Sequence, residues 1–344
     1  MINKKYPKIA ALLVAVSMIV VLFAGYSAAQ PAQSTPAPAS DKVYTFKLAH
    51  HLPADHAVNG YALDFKKLVE AKSNGKIQIQ VFEAGQLGGL KDNTDAIRYG
   101  TLDFAMIDLG TVASFYPKSS IVSLPFLFRD LKHVEAFFES PKMQEMTKDI
   151  AAKTNVRFLG YSHSGMRNIV SEKPINGPDD MKGMKIRAPD IPVYVDTLKA
   201  LGANPTPIPS GEVYTALQTG VVEGMECPPD TLFSLKMQEV TKYIAITNHI
   251  YTDIDLAMSE KLYQSLPDNL KKAIDDAAKE ATANHRKLAQ VLYDEFSKKL
   301  TDAGLIQTTP DQKAFAAKVA PVWKKYTDKV ADGKDLIDYI SNLK

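Results

Sequence analysis

A single arginine stands at the end of a short predicted strand, where a cation is well placed to bind an anion. The strand covers Lys185 to Ala188, and Gly183 and Pro189 make the chain turn just after Arg187. A planar guanidinium donates two parallel hydrogen bonds to a carboxylate, which fixes the direction of an organic anion as well as balancing its charge. The alternative is an ordinary surface ion pair. Because the neighbouring residues are small or rigid, we favour an anion site at Arg187.

Histidines and acids near the first two predicted strands suggest either a metal site or hydrogen bonds to a substrate. The metal interpretation would use the nearest nitrogen and oxygen donors, His50, His51, His56, Asp55 and Glu83. The segment HHLPADH lacks a known metal spacing, because Pro53 interrupts the helix that would align the ligands. We therefore expect no metal and no cofactor. We predict instead that His50 hydrogen-bonds substrate in a cleft, and Glu83 is a further substrate-binding candidate.

The predicted elements place these residues in an α/β fold. Strands are predicted at residues 43–48, 76–82, 104–107, 156–159, 169–170, 185–187, 221–225 and 243–247. Helical segments between them argue for largely parallel sheets, whose ligands bind outside the carboxyl ends of the strands. Asp108 follows the third strand, so it either binds ligand hydroxyls or caps a helix before Gly110.

The segment from Lys185 to Cys227 is predicted as strand, helix, irregular turn, helix and strand. The turn NPTPIP, residues 204–209, is expected to be irregular because each proline removes a backbone donor. Ser210 is predicted to cap the next helix, which ends at Gly220 before a strand that starts at Val221. Near the end of the chain, apolar spacing predicts one long helix from Pro267 to about residue 296.

The N-terminus carries the features of an export signal. Lys4, Lys5 and Lys8 precede an uncharged apolar run at residues 9–25, and residues 27–29 form a small-x-small cleavage site before Gln30. An uncleaved anchor is the alternative, whereas Tyr26 stands where a lipoprotein would need cysteine. Residues 30–40, rich in Pro, Ala, Ser and Gln, are predicted to be disordered.

Charge and cysteine content exclude several classes of function. The 344-residue chain has a formal charge of +2, and removal of residues 1–29 takes away three lysines and no acids, which leaves −1. The charge balance gives no polybasic surface for nucleic acid. A single cysteine, Cys227, means that an exported protein folds without an internal disulfide.

The segment around Arg187 closely resembles the solute-binding proteins of TRAP (tripartite ATP-independent periplasmic) transporters, of the DctP type. The family pattern K-[IV]-R-[VA]-P, then ALGA, PTP[MI]P and [SG]-E-[VL]-YTALQTGVV-[DE]-G matches most of residues 185–224 in register. Weaker similarities extend over most of the mature chain, at EAGQLGG (83–89), LPFLF (124–128), GMRNI (165–169) and TNH (247–249).

The resemblance implies a periplasmic binding protein fold of the class II type, with two α/β lobes, a ligand cleft between them and a long C-terminal helix along both. We expect one lobe from residues 41–164 plus 253–292 and the other from 165–252 plus 293–344. In similar proteins the arginine at Arg187 is the main ligand of the substrate carboxylate, and the arginine at Arg167 also touches substrate. The alternative for Arg167 is a structural salt bridge in the hinge.

Departures from the family pattern bear on the substrate. Ser210 stands where many relatives have an aromatic ring, and Cys227 replaces an amide that often holds a substrate oxygen. Both residues are retained as substrate-binding candidates. Glu226 is a further candidate that would pair with Arg187 or join a cation site. These changes make a simple C4-dicarboxylate assignment doubtful.

We therefore predict an exported receptor, not an enzyme, that binds an organic-acid anion and delivers it to the membrane subunits of a TRAP permease. The sequence shows no nucleophile elbow, P-loop or zinc signature. The alternatives are a receptor for an ABC-type importer or a sensor kinase, or a periplasmic enzyme that uses the histidines and carboxylates of the cleft.

Overall fold

The computed structural model describes residues 42–343. The predicted signal peptide and the lead-in at residues 30–40 lie outside this range, so those predictions are not addressed by the structure. Within the described part of the chain, no helix combines the length and apolarity needed to cross a bilayer.

Strands and helices alternate along the chain as expected for an α/β protein. Between residues 42 and 343 the strands are β1 Tyr44–Ala49, β2 Ile77–Phe82, β3 Phe104–Ile107, β4 Val156–Met166, β5 Asn168–Ser171, β6 Lys185–Ala188, β7 Asn204–Pro207, β8 Gly224–Cys227, β9 Tyr243–Ala245, β10 Tyr251–Ser259 and β11 Ile306–Thr308. The α-helices are α1 Ala57–Lys72, α2 Leu90–Tyr99, α3 Leu109–Val112, α4 Leu131–Phe138, α5 Pro141–Thr154, α6 Pro192–Ala200, α7 Val213–Gln218, α8 Pro229–Ser234, α9 Glu260–Ser265, α10 Asp268–Asp302, α11 Gln312–Lys318, α12 Ala320–Lys329 and α13 Gly333–Asn342.

The first sheet has five strands in the order β2-β1-β3-β10-β4. β1 is parallel to β2 and β3, whereas β10 is antiparallel to β3 and β4. Every residue of β10 is buried, because the strand lies inside the sheet and both its faces are covered. The sequence patterns missed β10, and the sheet is mixed where a largely parallel one was expected.

The second sheet has six strands in the order β11-β9-β5-β8-β6-β7. Here the prediction of an irregular turn at residues 204–209 is wrong, because Asn204–Pro207 forms β7, parallel to β6. β7 is an edge strand, where a missing proline N–H leaves no gap in the ladder. Ser210 also does not cap the next helix: it begins a 3₁₀ turn, Ser210–Glu212, and α7 starts at Val213.

The chain passes from one sheet to the other at Arg167, the single residue between β4 and β5, and returns between β9 and β10. These two crossings pair, since Arg167 N–H donates to Ile250 O at 2.8 Å and His249 N–H donates to Arg167 O at 3.3 Å. Arg167 is therefore held at the junction of the sheets by its backbone as well as by its side chain.

The long helix α10 runs from Asp268 to Asp302, with Pro267 as its N-terminal cap residue, and packs against α1, β4 and α8. At 1.5 Å per residue its 35 residues span about 50 Å. The two sheets and this helix confirm the predicted two-lobed α/β fold class. The lobe boundaries stay a prediction.

Candidate functional site

A cavity of about 370 Å³ lies where the strand ends of the two sheets face each other. The first sheet contributes the chain just after β1, the end of β3 and part of β10. The second sheet contributes the chain at the ends of β6, β7 and β8. The predicted candidates Arg187, Arg167, Asp108, Ser210 and Cys227 all line it. The structure thus brings together residues that are up to 119 positions apart in the sequence.

Arg187 is a buried cation, only 3% exposed, at the carboxyl end of β6. Its Nε donates to the backbone oxygen of Ile208 at 2.8 Å, and its Nη2 lies 3.4 Å from Ser210 Oγ. No Asp or Glu among residues 42–343 lies within ion-pair distance of it. Burial lowers the pKa of Arg187 and the neighbouring Arg167 acts in the same direction, whereas Cys227 and Glu226 oppose the shift. The guanidinium is thus held by neutral acceptors and has no balancing carboxylate.

Arg167 lines the same cavity, but its charge is balanced. Its Nη2 donates to Glu226 Oε1 at 2.8 Å and to Glu226 O at 2.7 Å, its Nε also contacts the Glu226 carboxylate, and its Nη1 donates to Thr252 Oγ1 at 3.0 Å. The guanidinium also lies 4.8 Å from the centre of the Tyr194 ring, a cation–π contact. These contacts combine a structural salt bridge with a position on the cavity wall.

Glu226 lies behind the cavity wall. It is 1% exposed, and His249 Nε2 lies 3.4 Å from its second oxygen. Burial alone would raise the pKa of Glu226, but Arg167 and His249 hold it below its ordinary value. Its partner is therefore Arg167 and not Arg187, and within the described chain it does not line the cavity or belong to any cluster suited to a metal.

Two carboxyl groups of the first sheet also reach the cavity. Asp108 accepts a hydrogen bond from the backbone N–H of Thr111 at 2.8 Å and caps α3, and it also lines the cavity; that it binds ligand hydroxyls stays a prediction. Asp253 accepts from the backbone N–H of Leu109 at 2.7 Å. Burial, then the charge of Asp253, raises the pKa of Asp108 to about 7, and burial also raises the pKa of Asp253. The negative charge of Asp108 is therefore reduced at neutral pH.

The histidines of the HHLPADH segment do not converge. His50 is completely buried, its Nε2 lies 3.2 Å from Asn59 Oδ1, and its side chain does not line the cavity. His51, in the bend after β1, lines the cavity instead. His56 caps α1 and contacts Thr231 Oγ1 at 3.0 Å. Glu83 lies in the turn after β2 and is likewise absent from the cavity wall.

The sequence predictions did not propose several of the polar cavity residues as substrate ligands, among them His51, Tyr194 and Asp253. Tyr194 lies in the first turn of α6, seven residues after Arg187, and its buried hydroxyl has no hydrogen-bond partner among residues 42–343. Asp253 belongs to β10, where Ile254, Leu256 and Met258 alternate with smaller or polar residues. That alternation indicates a strand, but Asp253 and Asp255 within the segment made the pattern hard to recognise.

Comparisons with known proteins agree with this geometry. The family model of the bacterial extracellular solute-binding protein, family 7 (DctP), matches residues 48–329. The sialic acid-binding periplasmic protein SiaP of Vibrio cholerae is 30% identical over 262 residues, which is 76% of this chain and 82% of SiaP. The C4-dicarboxylate-binding periplasmic protein DctP of Shewanella loihica is 31% identical over 293 residues, covering 84% of this chain and 86% of its own.

Solved structures show the same fold. A TRAP periplasmic solute-binding protein from Xanthobacter autotrophicus, with bound β-D-galacturonate, superposes with a TM-score of 0.83 at 30% identity and covers 87% of this chain and 100% of its own. One from Roseobacter denitrificans, with bound β-D-glucuronate, has a TM-score of 0.84 at 27% identity and the same coverage. The chain therefore belongs to family 7 of the bacterial extracellular solute-binding proteins, the DctP-type solute-binding proteins of TRAP transporters.

Proposed function

We propose that this protein is an extracytoplasmic receptor that binds a small organic-acid anion in the cavity and delivers it to a membrane permease for uptake driven by an ion gradient. The observation that carries the proposal is the buried Arg187 guanidinium, which has no acidic partner within residues 42–343. A buried charge without a counter-ion costs several kcal/mol. A ligand carboxylate recovers part of that cost, so the empty site is selective for anions.

The bound ligands of similar proteins support this assignment. Galacturonate and glucuronate, found in two structural neighbours, each carry one carboxylate. A third neighbour, from Bordetella, has density interpreted as pantoate, also a carboxylate. These ligands share the acid group and differ in the remainder, which is the pattern expected if one arginine position recognises the carboxylate and other residues select the rest.

Ligand binding would favour a closed arrangement of the two sheets around the cavity. Arg187 belongs to the second sheet, whereas His51, Asp108 and Asp253 extend from the first. A ligand that contacts both groups stabilises the arrangement in which they face each other. The paired crossings at Arg167 and His249 provide the connection about which such a movement would occur.

The proposal is tested by a thermal-shift screen against uronates, C4-dicarboxylates, 2-oxo acids, pantoate and aromatic acids. At 100 times its Kd, a ligand stabilises the folded protein by about 2.7 kcal/mol, which is readily detected. Each hit is then incubated with the protein to look for product. Stoichiometric binding without turnover supports the receptor. Product formation would favour the periplasmic enzyme, and stabilisation by uncharged solutes alone would contradict an anion receptor.

We also propose that the receptor is exported and released by cleavage before Gln30. The basic N-terminus, the apolar run and the small residues at 27–29 support this, and the periplasmic relatives are consistent with it. Intact mass measurement of the exported protein should give an N-terminus near Gln30. Retention of residues 1–29 in a membrane fraction would instead establish an anchored receptor.

A further inference from the structure

The wall of the cavity is largely aliphatic. Seven such side chains reach it from separate parts of the chain: Leu52, Val58, Leu90, Ile107, Ile191, Ile208 and Ile254. Most of them are buried, and Leu90 and Ile208 are partly exposed. Apolar contact of this kind favours an apolar ligand surface and offers nothing to a ring of hydroxyl groups.

Much of the polar lining is already engaged within the protein. Arg167 is occupied by Glu226 and Thr252, Thr231 Oγ1 contacts His56 Nε2 at 3.0 Å, and Asp253 Oδ2 accepts from a backbone N–H. Cys227 contributes a thiol, which burial keeps protonated by raising its pKa and which is a weak hydrogen-bonding group. Outside the carboxyl groups of Asp108 and Asp190, a polyhydroxylated ligand would therefore have few partners for its oxygens.

Beside Arg187, two fully buried polar atoms in the wall have no hydrogen-bond partner among residues 42–343. They are His51 Nδ1 and the Tyr194 hydroxyl, both inaccessible to solvent in the structure. Burial, followed by the charges of His56 and Arg187, lowers the pKa of His51 to about 3, so its ring is neutral at physiological pH. The Tyr194 ring lies against the Arg167 guanidinium. These atoms offer one or two neutral hydrogen bonds in addition to the cation.

We propose that the ligand is a monocarboxylate with a branched aliphatic or aromatic remainder and one additional oxygen near the acid group, as in a 2-oxo or 2-hydroxy acid. Its carboxylate would bind Arg187, its second oxygen would bind Tyr194 or His51, and its apolar part would contact the aliphatic wall. This inference rests on the proposed function. A hexuronate would bring several further hydroxyls, and each one buried without a partner weakens binding roughly tenfold or more.

The test is calorimetric titration of the full receptor with six acids. 4-Methyl-2-oxopentanoate, phenylpyruvate and 3-phenyllactate represent the proposed class, and galacturonate, glucuronate and succinate represent the polar alternatives. We expect one of the first three to bind at least about 100-fold more tightly than any of the second three. Tighter binding of a uronate or succinate would overturn the inference and leave the organic-acid receptor standing. Failure of all three apolar acids would also overturn it, and binding of uncharged solutes only would overturn both proposals.

Two variants test whether Leu90 and Tyr194 contact the ligand as proposed. Leu90→Asn places an amide in the wall and should weaken the preferred apolar acid about tenfold, whereas Leu87→Asn, at an exposed position outside the cavity, should leave affinity unchanged. Tyr194→Phe removes only the unpartnered hydroxyl. It should weaken 4-methyl-2-oxopentanoate by about tenfold and leave 4-methylpentanoate, which lacks the 2-oxygen, unaffected. Full affinity of both variants for the 2-oxo acid would contradict the proposed placement.

Discussion

Arg167 and Arg187 are both buried beside the same cavity but differ in their partners. Glu226 balances Arg167 through contacts to both carboxylate oxygens, whereas Arg187 is held by Ile208 O and Ser210 Oγ. Replacing one member of a buried ion pair leaves the other unbalanced, so Arg167 contributes to folding as well as to the cavity. Arg187 has no such pair to lose, and its charge is available to a ligand.

Substitution of Arg187 by lysine separates orientation from charge. Arg187→Lys keeps the cation but loses the planar pair of donors. We expect near-native thermal stability without ligand and binding of the best acid from the screen weakened at least about tenfold, or about 1.4 kcal/mol. Thermal melting and calorimetry measure the two effects. Arg129→Lys, at an exposed site outside the cavity, is the matched control.

Normal affinity in Arg187→Lys would show that this residue does not hold a carboxylate through two parallel bonds. A large loss of stability in the empty protein would instead indicate that the hydrogen bond to Ile208 has a structural role. Either result is distinguishable from a general effect of lysine substitution by the Arg129 variant.

Individual site residues were predictable where a strand end and its turn were visible in the sequence. Arg187 lies at the end of a recognisable strand, Asp108 directly follows another, and both line the cavity. His50 and His51 are adjacent residues of the same type. The sequence therefore could not indicate which of the two side chains faces the cavity. Glu226 was expected to pair with Arg187 or to join a cation site, whereas its ion-pair partner is Arg167, because that contact depends on the long-range pairing of β5 with β8.

At the scale of secondary-structure elements, Asp108 caps the start of α3, which puts its titratable carboxyl group beside the cavity. The pKa of Asp108 is raised to about 7 by burial and by Asp253. The folded protein therefore holds this proton over a range in which the unfolded chain, with a pKa near 3.8, has already released it. Stability associated with Asp108 is thus present at low pH and is lost as the pH rises towards 7.

Asp108→Asn should remove this pH dependence while keeping an oxygen that can cap α3. Relative to wild type, we expect the empty variant to gain about 1 kcal/mol of unfolding free energy per pH unit between pH 5 and pH 7. Urea denaturation at pH 5, 6 and 7 measures the difference. An offset that stays constant with pH would show that Asp108 does not titrate in this range.

The contact between β4 and α10 depends on a glycine. A methyl group on Gly160 would overlap the Thr282 hydroxyl and come within 3.1 Å of the Tyr61 hydroxyl, which itself bonds Thr282 at 2.6 Å. Gly160→Ala should therefore destabilise the protein by about 2 kcal/mol through overpacking. Gly60→Ala, in α1 with no neighbour within 4 Å, should be neutral or slightly stabilising. Equal effects in urea denaturation would contradict this packing.

Local sequence patterns predicted strands and helices well where residue propensity and the pattern of burial favoured the same structure. The strand at residues 104–107 and the start of the long helix at Pro267 are found where they were expected. β7 was missed because its prolines are acceptable only at a sheet edge, and edge position is set by tertiary structure. β10 was missed because its acids are buried by neighbours distant in sequence, including β4 and β3.

At the scale of the whole molecule, the cavity lies beside the two places where the chain crosses from one sheet to the other. Two paired crossings join the sheets beside Arg167, and α10 packs against elements on either side of them. The strand ends that face the cavity bring a cation from the second sheet opposite polar and apolar groups from the first. A ligand that contacts both sides would couple its affinity to closure of the cavity, as a receptor that presents its cargo to a permease requires.

The central claim is that the receptor recognises the negative charge of a carboxylate at Arg187. The most direct test is calorimetric comparison of the best acid from the screen with its primary amide, which has nearly the same shape and no charge. We predict that the amide binds at least about 30-fold more weakly, a cost of about 2 kcal/mol, because the buried guanidinium would lose its charged partner. Equal affinity for the acid and the amide would contradict the account.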